Sequence, residues 1–330
     1  MEKEHSMLRI IRRIRQKYSP YIRWKNDLIG ELESGSRMVE TKKGPIEYMI
    51  HGESGPFVAV MHGGPGGYDQ AAALFHDMFD KGFRILSWSR PGYIRTPLKV
   101  GRTFEDQADA FAALLDALDI EAAAVLAYSA GSPPAVYFAV HYPERIRALI
   151  LECAVTGKYR VNDGNIREQI FFGHLMFHDP ALWLSDVIAN HFAWLAGRSA
   201  IKMESSLEED EVWKVLSHII HDEQKEKVLM SLIRSMSPSQ LRKKGMKNDL
   251  KQLAQLSDLP LRQVKTPTLV IHGTDDFDVP VAHAHTAVQL IPDAELYLVK
   301  EGFHILALAD SAREITEKKI MFLKENVPAA

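Results

Sequence analysis

The chain has 330 residues, a formal net charge of −3, and is 46% hydrophobic and 25% charged. That balance supplies no whole-protein field for nucleic acid or acidic substrates, and the length suits one large domain with an insertion, or two domains. The single cysteine, Cys153, excludes an intrachain disulfide; it suits a reducing compartment and, behind the apolar run Ala148–Leu151, reads as a buried, inert thiol.

No apolar stretch approaches the ~20 residues of a membrane span. Lys3, Arg9, Arg12, Arg13, Arg15 and Lys17 interrupt any signal-peptide core, so a cytoplasmic location is expected. Within the N-terminal arm, residues 1–36, Leu8, Ile11, Ile14 and Tyr18 recur at near-helical spacing between arginines. They read as a basic amphipathic helix ending near Ser19-Pro20. Such a helix packs on the domain, or touches an anionic membrane surface as a weak peripheral contact.

From there the chain alternates. Phe57–Met61 is a buried strand, Tyr68–Asp80 a helix and Arg84–Trp88 a strand. Phe104–Leu118 is an amphipathic helix, Ala122–Ala127 a strand, Ser132–His141 a helix and Arg145–Leu151 a strand. Strand–helix alternation predicts an α/β fold with a mostly parallel central sheet flanked by helices. After Thr156 the alternation stops, and 157–261 reads as a helical lid inserted between two strands. It includes helices Leu182–Leu195 and Glu211–Ile220, the latter opened by the acidic run Glu208–Glu211. Alternation resumes with strand Thr268–Ile271, helix Val281–Leu290, strand Glu295–Val299 and a helix over 311–323. The core is therefore 37–156 with 262–330, and the lid belongs over the strand carboxyl ends, where open α/β sheets place their sites.

Four segments at those ends carry chemistry. Ala127-Tyr128-Ser129-Ala130-Gly131 lies between a strand and a helix, with small residues two before and two after the serine; a nucleophile there sits on a tight turn that lifts its hydroxyl above the sheet. His62-Gly63-Gly64-Pro65-Gly66-Gly67 follows the first parallel strand and can aim backbone N–H groups at an oxyanion, with Gly64 and Ala130 the candidate donors. His62 reads as a brace for that loop. The stretch lacks the pattern of a phosphate-binding loop. Gly273-Thr274-Asp275-Asp276-Phe277-Asp278-Val279-Pro280 offers an acid. Asp276 fits best by spacing, while Asp275 and Asp278 read as turn and capping residues. His304, in the loop after the last strand, completes the order Ser–Asp–His and suits a general base.

These motifs resemble the α/β-hydrolase fold over about residues 40–325. The His62–Gly67 stretch is similar to the H-G-G-P-G loop of proline iminopeptidases and related hydrolases. Arg90-Pro91-Gly92-Tyr93-Ile94-Arg95-Thr96 resembles the family's R-P-G-x-G-x-S/T loop, with Ser89 in place of the usual Asp and Ile94 in place of the usual Gly. The resemblance implies a serine hydrolase working by acyl transfer, and, because some members carry the acid after the strand that follows the nucleophile helix, it leaves Glu152 or a neighbour as an alternative acid. The apolar lid residues Phe171, Phe172, Leu175, Met176, Phe177, Trp183 and Trp194, read mostly as lid core and partly as pocket lining, favour a small-molecule carboxylic ester with an apolar part. An iminopeptidase-like aminopeptidase and a non-enzymatic ligand receptor on the same fold are the alternatives. No cofactor is expected, and no metal: His218 and His221 share a helix face but lack a third ligand. Nothing in the sequence fixes the oligomeric state.

Overall fold

The computed structural model describes residues 19–159, 178–191 and 193–327. Eight strands form one sheet: β1 (Arg37–Thr41), β2 (Gly44–His51), β3 (Phe57–Met61), β4 (Arg84–Trp88), β5 (Ala123–Tyr128), β6 (Ile146–Glu152), β7 (Thr268–Gly273) and β8 (Glu295–Val299). Their spatial order is β1-β2-β4-β3-β5-β6-β7-β8. β2 runs antiparallel to both neighbours, and the strands from β4 to β8 pair in parallel.

Strand β5 shows why the sheet is covered on both sides. All six of its residues are buried. Val125 and Ala127 enter one core with Phe104, Phe111, Ala135 and Phe138. Their alternates Ala124, Leu126 and Tyr128 enter another with Leu74, Phe75, Ile315 and Phe322. The period-two alternation of a strand thus feeds both cores, and each needs its own helices. Helices α3 (Phe104–Ala117), α4 (Ser132–His141) and α10 (Ala282–Leu290) serve the first; α2 (Tyr68–Leu74) and α11 (Ala312–Asn326) serve the second.

Pro20 opens helix α1 (Pro20–Ser34), since a proline is well tolerated in a first turn, where its missing N–H has no partner to lose. The periodic residues Leu8, Ile11, Ile14 and Tyr18 lie outside the described residues. Helix α1 is fixed by Trp24 donating to Asp186 at 2.8 Å, by Lys25 on Asp179 at 2.7 Å, and by the Tyr68 hydroxyl donating to the Leu32 carbonyl at 2.8 Å.

Between β6 and β7 come α5 (Asp179–His191), α6 (Ala193–Glu204), α7 (Glu209–Ile220), α8 (Glu223–Arg234) and α9 (Ser239–Gln255). The acidic run acts as a helix start: Glu208 caps α7, and its N–H donates to Glu211 at 2.9 Å. This insertion has a core of its own, in which Ile201, Leu216, Ile219 and Leu229 pack with Phe303 and Leu308 from beyond β8. Phe171, Phe172, Leu175, Met176 and Phe177 lie outside the described residues. Trp194 is not core: it is 41% exposed and packs its ring against Trp213 at 5.9 Å.

The insertion grips loops at the carboxyl ends of the strands. Arg242 of α9 donates to the Gly66 carbonyl at 2.7 Å and to Asp69 at 2.7 Å. Gly245 donates to the Gly92 carbonyl at 2.9 Å, and a Cβ on Gly92 would lie 2.7 Å from the Gly245 Cα. Ser205 pairs with Asp276 in a short antiparallel bridge. Among the described residues no helix is long and apolar enough to cross a membrane.

Candidate active site

Strand β5 ends at Tyr128, and Ser129 follows with φ +51°, the left-handed region that L-residues other than Asn, Asp and Gly seldom occupy. The strain persists because its surroundings leave no alternative. Gly131 sits where a Cβ would be 2.2 Å from the Met61 carbonyl oxygen and 2.7 Å from that of His62. The small residue two after the serine is therefore what lets α4 start against the end of β3. Gly131→Ala is expected to lower stability by at least about 1–3 kcal/mol, since both clashes are with backbone; a urea unfolding midpoint indistinguishable from wild type would contradict this.

Gly63 lies directly over the serine. A Cβ there would be 3.1 Å from the Ser129 Cβ and 2.9 Å from the Tyr128 ring. Gly64 faces the insertion, where a Cβ would meet the Met246 sulfur at 2.9 Å. His62 braces this loop as its position suggested: Nε2 accepts from the Arg90 N–H at 3.0 Å, and Nδ1 donates to the Gly63 carbonyl at 2.6 Å. Burial and the adjacent Arg90 hold the His62 pKa well below the usual imidazole range, so the ring is neutral, as that pattern requires.

His304 and Asp276 come together at the end of the sheet. Asp276 Oδ2 accepts from His304 Nδ1 at 2.8 Å and Oδ1 from the Val279 N–H at 2.8 Å; both residues are buried. Tyr128, the residue before the serine, donates its hydroxyl to the His304 carbonyl at 3.1 Å and lays its ring 5.1 Å from the imidazole. Burial alone would lower the His304 pKa. The ionised Asp276 outweighs it, so the imidazole is held well above its usual value and the protonated form is favoured. Ser129 and His304 share no hydrogen bond among the described residues.

The other acids have different surroundings. Asp275 is a partly exposed turn residue, accepting from the Thr274 hydroxyl at 2.7 Å. Glu152 is committed to Lys319 at 2.5 Å in a buried pair. Asp278, expected as a capping residue, instead accepts from the Tyr159 hydroxyl at 2.5 Å and stands 3.6 Å from His304 Nε2.

Glu204, the last residue of α6, escaped the sequence reading altogether. Its carbonyl accepts from the His304 N–H at 3.1 Å, its Oε2 is buried without a partner, and burial beside Asp278 pushes its carboxyl up to about 8. Nothing local marks it: it precedes His304 by a hundred residues, and only the docking of α6 joins them.

Cys153 follows β6 and lies beside His304; burial pushes its thiol up to about 12. It should therefore resist a thiol-specific disulfide reagent in the native state and react only on unfolding, a contrast that absorbance at neutral pH reads directly. Cys153, Asp276 and His304, and likewise Glu204, Asp278 and His304, bring donor atoms within 4.8 Å of one another. Both sets centre on one imidazole whose Nδ1 already holds Asp276. His218 and His221 do not converge: the first pairs with Asp310 at 3.0 Å, the second with the Ser217 carbonyl at 2.7 Å.

Behind the site, Arg90 donates to both oxygens of Asp249 from α9, at 2.5 and 3.2 Å, and Tyr93 donates to the same carboxylate at 2.7 Å. Where the resemblance leads one to expect an Asp before Arg90, the Ser89 hydroxyl donates to the buried Glu47 of β2 at 2.7 Å, so the carboxylate comes from another strand. Ile94, in place of the usual Gly, holds φ +46°.

A mostly parallel, helix-covered sheet with a strained serine after β5 and a carboxylate–imidazole pair after β7 and β8 defines the hydrolase class of α/β proteins. The sequence profile of the α/β hydrolase fold matches residues 56–310. The chain belongs to the α/β-hydrolase-fold family and is a hydrolase.

Among its relatives, the uncharacterized hydrolase YcgS of Bacillus subtilis is 30% identical over 296 residues, covering 87% of this chain and 99% of that one. The 2-hydroxy-6-oxononadienedioate/2-hydroxy-6-oxononatrienedioate hydrolase of Cupriavidus pinatubonensis is 26% identical over 284 residues, covering 82% and 89%. Among solved structures, an alpha/beta hydrolase fold protein from Nakamurella multipartita matches with a TM-score of 0.82 at 32% identity, over 87% of this chain and 98% of that one. A thermophilic esterase from Thermogutta terrifontis matches at 0.61 and 17% identity over 89% and 99%, a likeness of fold.

Proposed function

We propose that the chain is a serine hydrolase in which Ser129 is the nucleophile, His304 the general base and Asp276 the acid, acting on a small or medium carboxylic ester with an apolar part. The observation that carries this reading is the 2.8 Å bond from His304 Nδ1 to Asp276 at the same sheet end as a serine held at φ +51°. With Nδ1 donating, Nε2 is the nitrogen left to take the Ser129 proton. Ser129 Oγ attacks the carbonyl, and the backbone N–H groups of Gly64 and Ala130 receive the oxyanion. The imidazolium returns its proton to the leaving group. Water, deprotonated by His304, then releases the acyl group and restores the serine. The helical insertion acts as the lid and supplies the acyl pocket.

A second reading draws on the relatives named 2-hydroxy-6-oxo-dienedioate hydrolases: the same serine, base and acid serve hydrolysis of a carbon–carbon bond next to a ketone. p-Nitrophenyl esters of increasing acyl length, a 2-hydroxy-6-oxo-dienoate and prolyl-p-nitroanilide separate the readings. The expected result is turnover of the esters above the other two. Turnover of the dienoate alone would transfer the chain to carbon–carbon hydrolysis, and turnover of the anilide alone to an aminopeptidase.

A further inference from the structure

Three carboxyl groups surround the His304 imidazole, whereas the proposed reaction uses one. Asp276 holds Nδ1. On the other edge, Asp278 Oδ2 lies 3.6 Å from Nε2, the nitrogen that must receive the serine proton. Asp278 is not a free surface acid, because its Oδ1 accepts the Tyr159 hydroxyl at 2.5 Å, from the segment that leads into the helical insertion. Glu204 comes from the insertion's α6, its carbonyl holding the His304 N–H.

We propose that Asp278 is a positioning residue for the base: it engages His304 Nε2 in the resting enzyme, competes there with Ser129, and sets the pH at which His304 becomes available. This rests on the assignment of Ser129 and His304 as nucleophile and base.

The charges facing the imidazole are consistent with that role. Tyr128 faces it from the end of β5, Cys153 from the end of β6, Asp276 and Asp278 from the loop after β7, Glu204 from α6 and Tyr159 from the insertion's entry; His272 of β7 lies 3.3 Å from Asp276. The Tyr128, Tyr159 and Cys153 groups are all pushed up by burial, and so are neutral near pH 7. Burial lowers His272, which leaves it neutral too. Glu204 stays protonated up to about 8. Of the carboxyl groups against the ring, Asp276 lies at Nδ1 and Asp278 at Nε2. Because Asp278 is partly exposed, 36% by side chain, its influence is screened and is smaller than that of Asp276.

The sign follows. A carboxylate at Nε2 favours imidazolium, so its removal lowers the His304 pKa; for a partly screened charge at this distance the change is on the order of one unit. More of the enzyme then carries a neutral base below the limb, and the weaker base gives a lower plateau above it.

The experiment uses the full chain and two readouts. Nitrogen-15 histidine NMR titrates the His304 ring directly, and the second-order rate of a fluorophosphonate probe with Ser129 is followed from pH 5 to 10. For Asp278→Asn the expected result is a His304 pKa about one unit lower, labelling several-fold faster below the wild-type limb, and a lower plateau. Tyr159→Phe, which removes the bond holding Asp278, should move the limb the same way by less. Asp275→Asn, the same charge change on a neighbour without contact to His304, should leave it in place. A His304 pKa unmoved in Asp278→Asn, or moved equally by Asp275→Asn, would overturn the proposal. Wild type that titrates as expected but never labels would overturn the triad reading and with it the positioning role of Asp278.

Discussion

Ser129→Ala is expected to lower kcat by on the order of 10⁴–10⁶, and His304→Ala by a similar factor. In the proposed mechanism the two groups make and break one bond together. Without the serine there is no acyl-enzyme; without the imidazole the serine keeps its proton. The double variant should therefore be little worse than either single one, a non-additivity that separates a working pair from two independent contributors. Neither change should unfold the protein. Ser129 occupies an unfavourable backbone region that alanine tolerates no worse, and the site is fastened by groups other than its hydroxyl: Tyr128 on the His304 carbonyl, Val279 on Asp276 and Gly131 against Met61. Steady-state rates on the preferred ester, with circular dichroism as the check on folding, decide it. Losses that multiply in the double variant would mean that the two residues act separately.

The second large effect concerns stability. Asp249→Ala is expected to cost about 3–5 kcal/mol, because it leaves the Arg90 guanidinium charged and buried without its carboxylate. Arg90 and Asp249 are 0% and 1% exposed by side chain. The pair also fastens α9 to the loop after β4, so part of the loss should appear as early unfolding of the insertion. Asp116 is the contrast. It joins Lys42 and Arg145 at 2.8 Å in each case but is 42% exposed, and Asp116→Ala should cost no more than about 1 kcal/mol. Urea unfolding of both variants beside wild type tests the pair; equal losses would show that burial is not what gives Asp249 its weight.

The fold was legible where local patterning and global structure agree. Helix Ser132–His141 and strand Glu295–Val299 have the boundaries read from sequence, because each is a short apolar segment between clear turn residues. Strand β1 was missed because its pattern is that of an edge: in Arg37–Thr41 no residue is fully buried, and the turn at Lys42-Lys43 that joins it to β2 lacks the Asn-Gly or Asp-Gly signal of a tight hairpin. Helix α1 was missed because Pro20 reads equally well as a stop and as a first-turn residue.

At the site, the residues that were readable sit in motifs a few residues long, at strand ends. Tyr159, Glu204 and Asp249 were not readable, since each reaches the site from the insertion and meets partners between 100 and 159 positions away. Asp278 was visible but misread. A turn residue with an acceptor side chain looks the same in sequence whether it caps its own loop or faces an imidazole from the next one. Its true partners, Tyr159 and His304, are set by packing that no local spacing encodes.

The central claim is that Ser129 is the nucleophile, and covalent labelling tests it most directly. Wild-type protein treated with a fluorophosphonate and digested should yield one modified peptide, with the adduct on Ser129. Modification should be absent in Ser129→Ala and strongly slowed in His304→Ala. No adduct on folded wild type, or an adduct that persists in Ser129→Ala, would contradict the account.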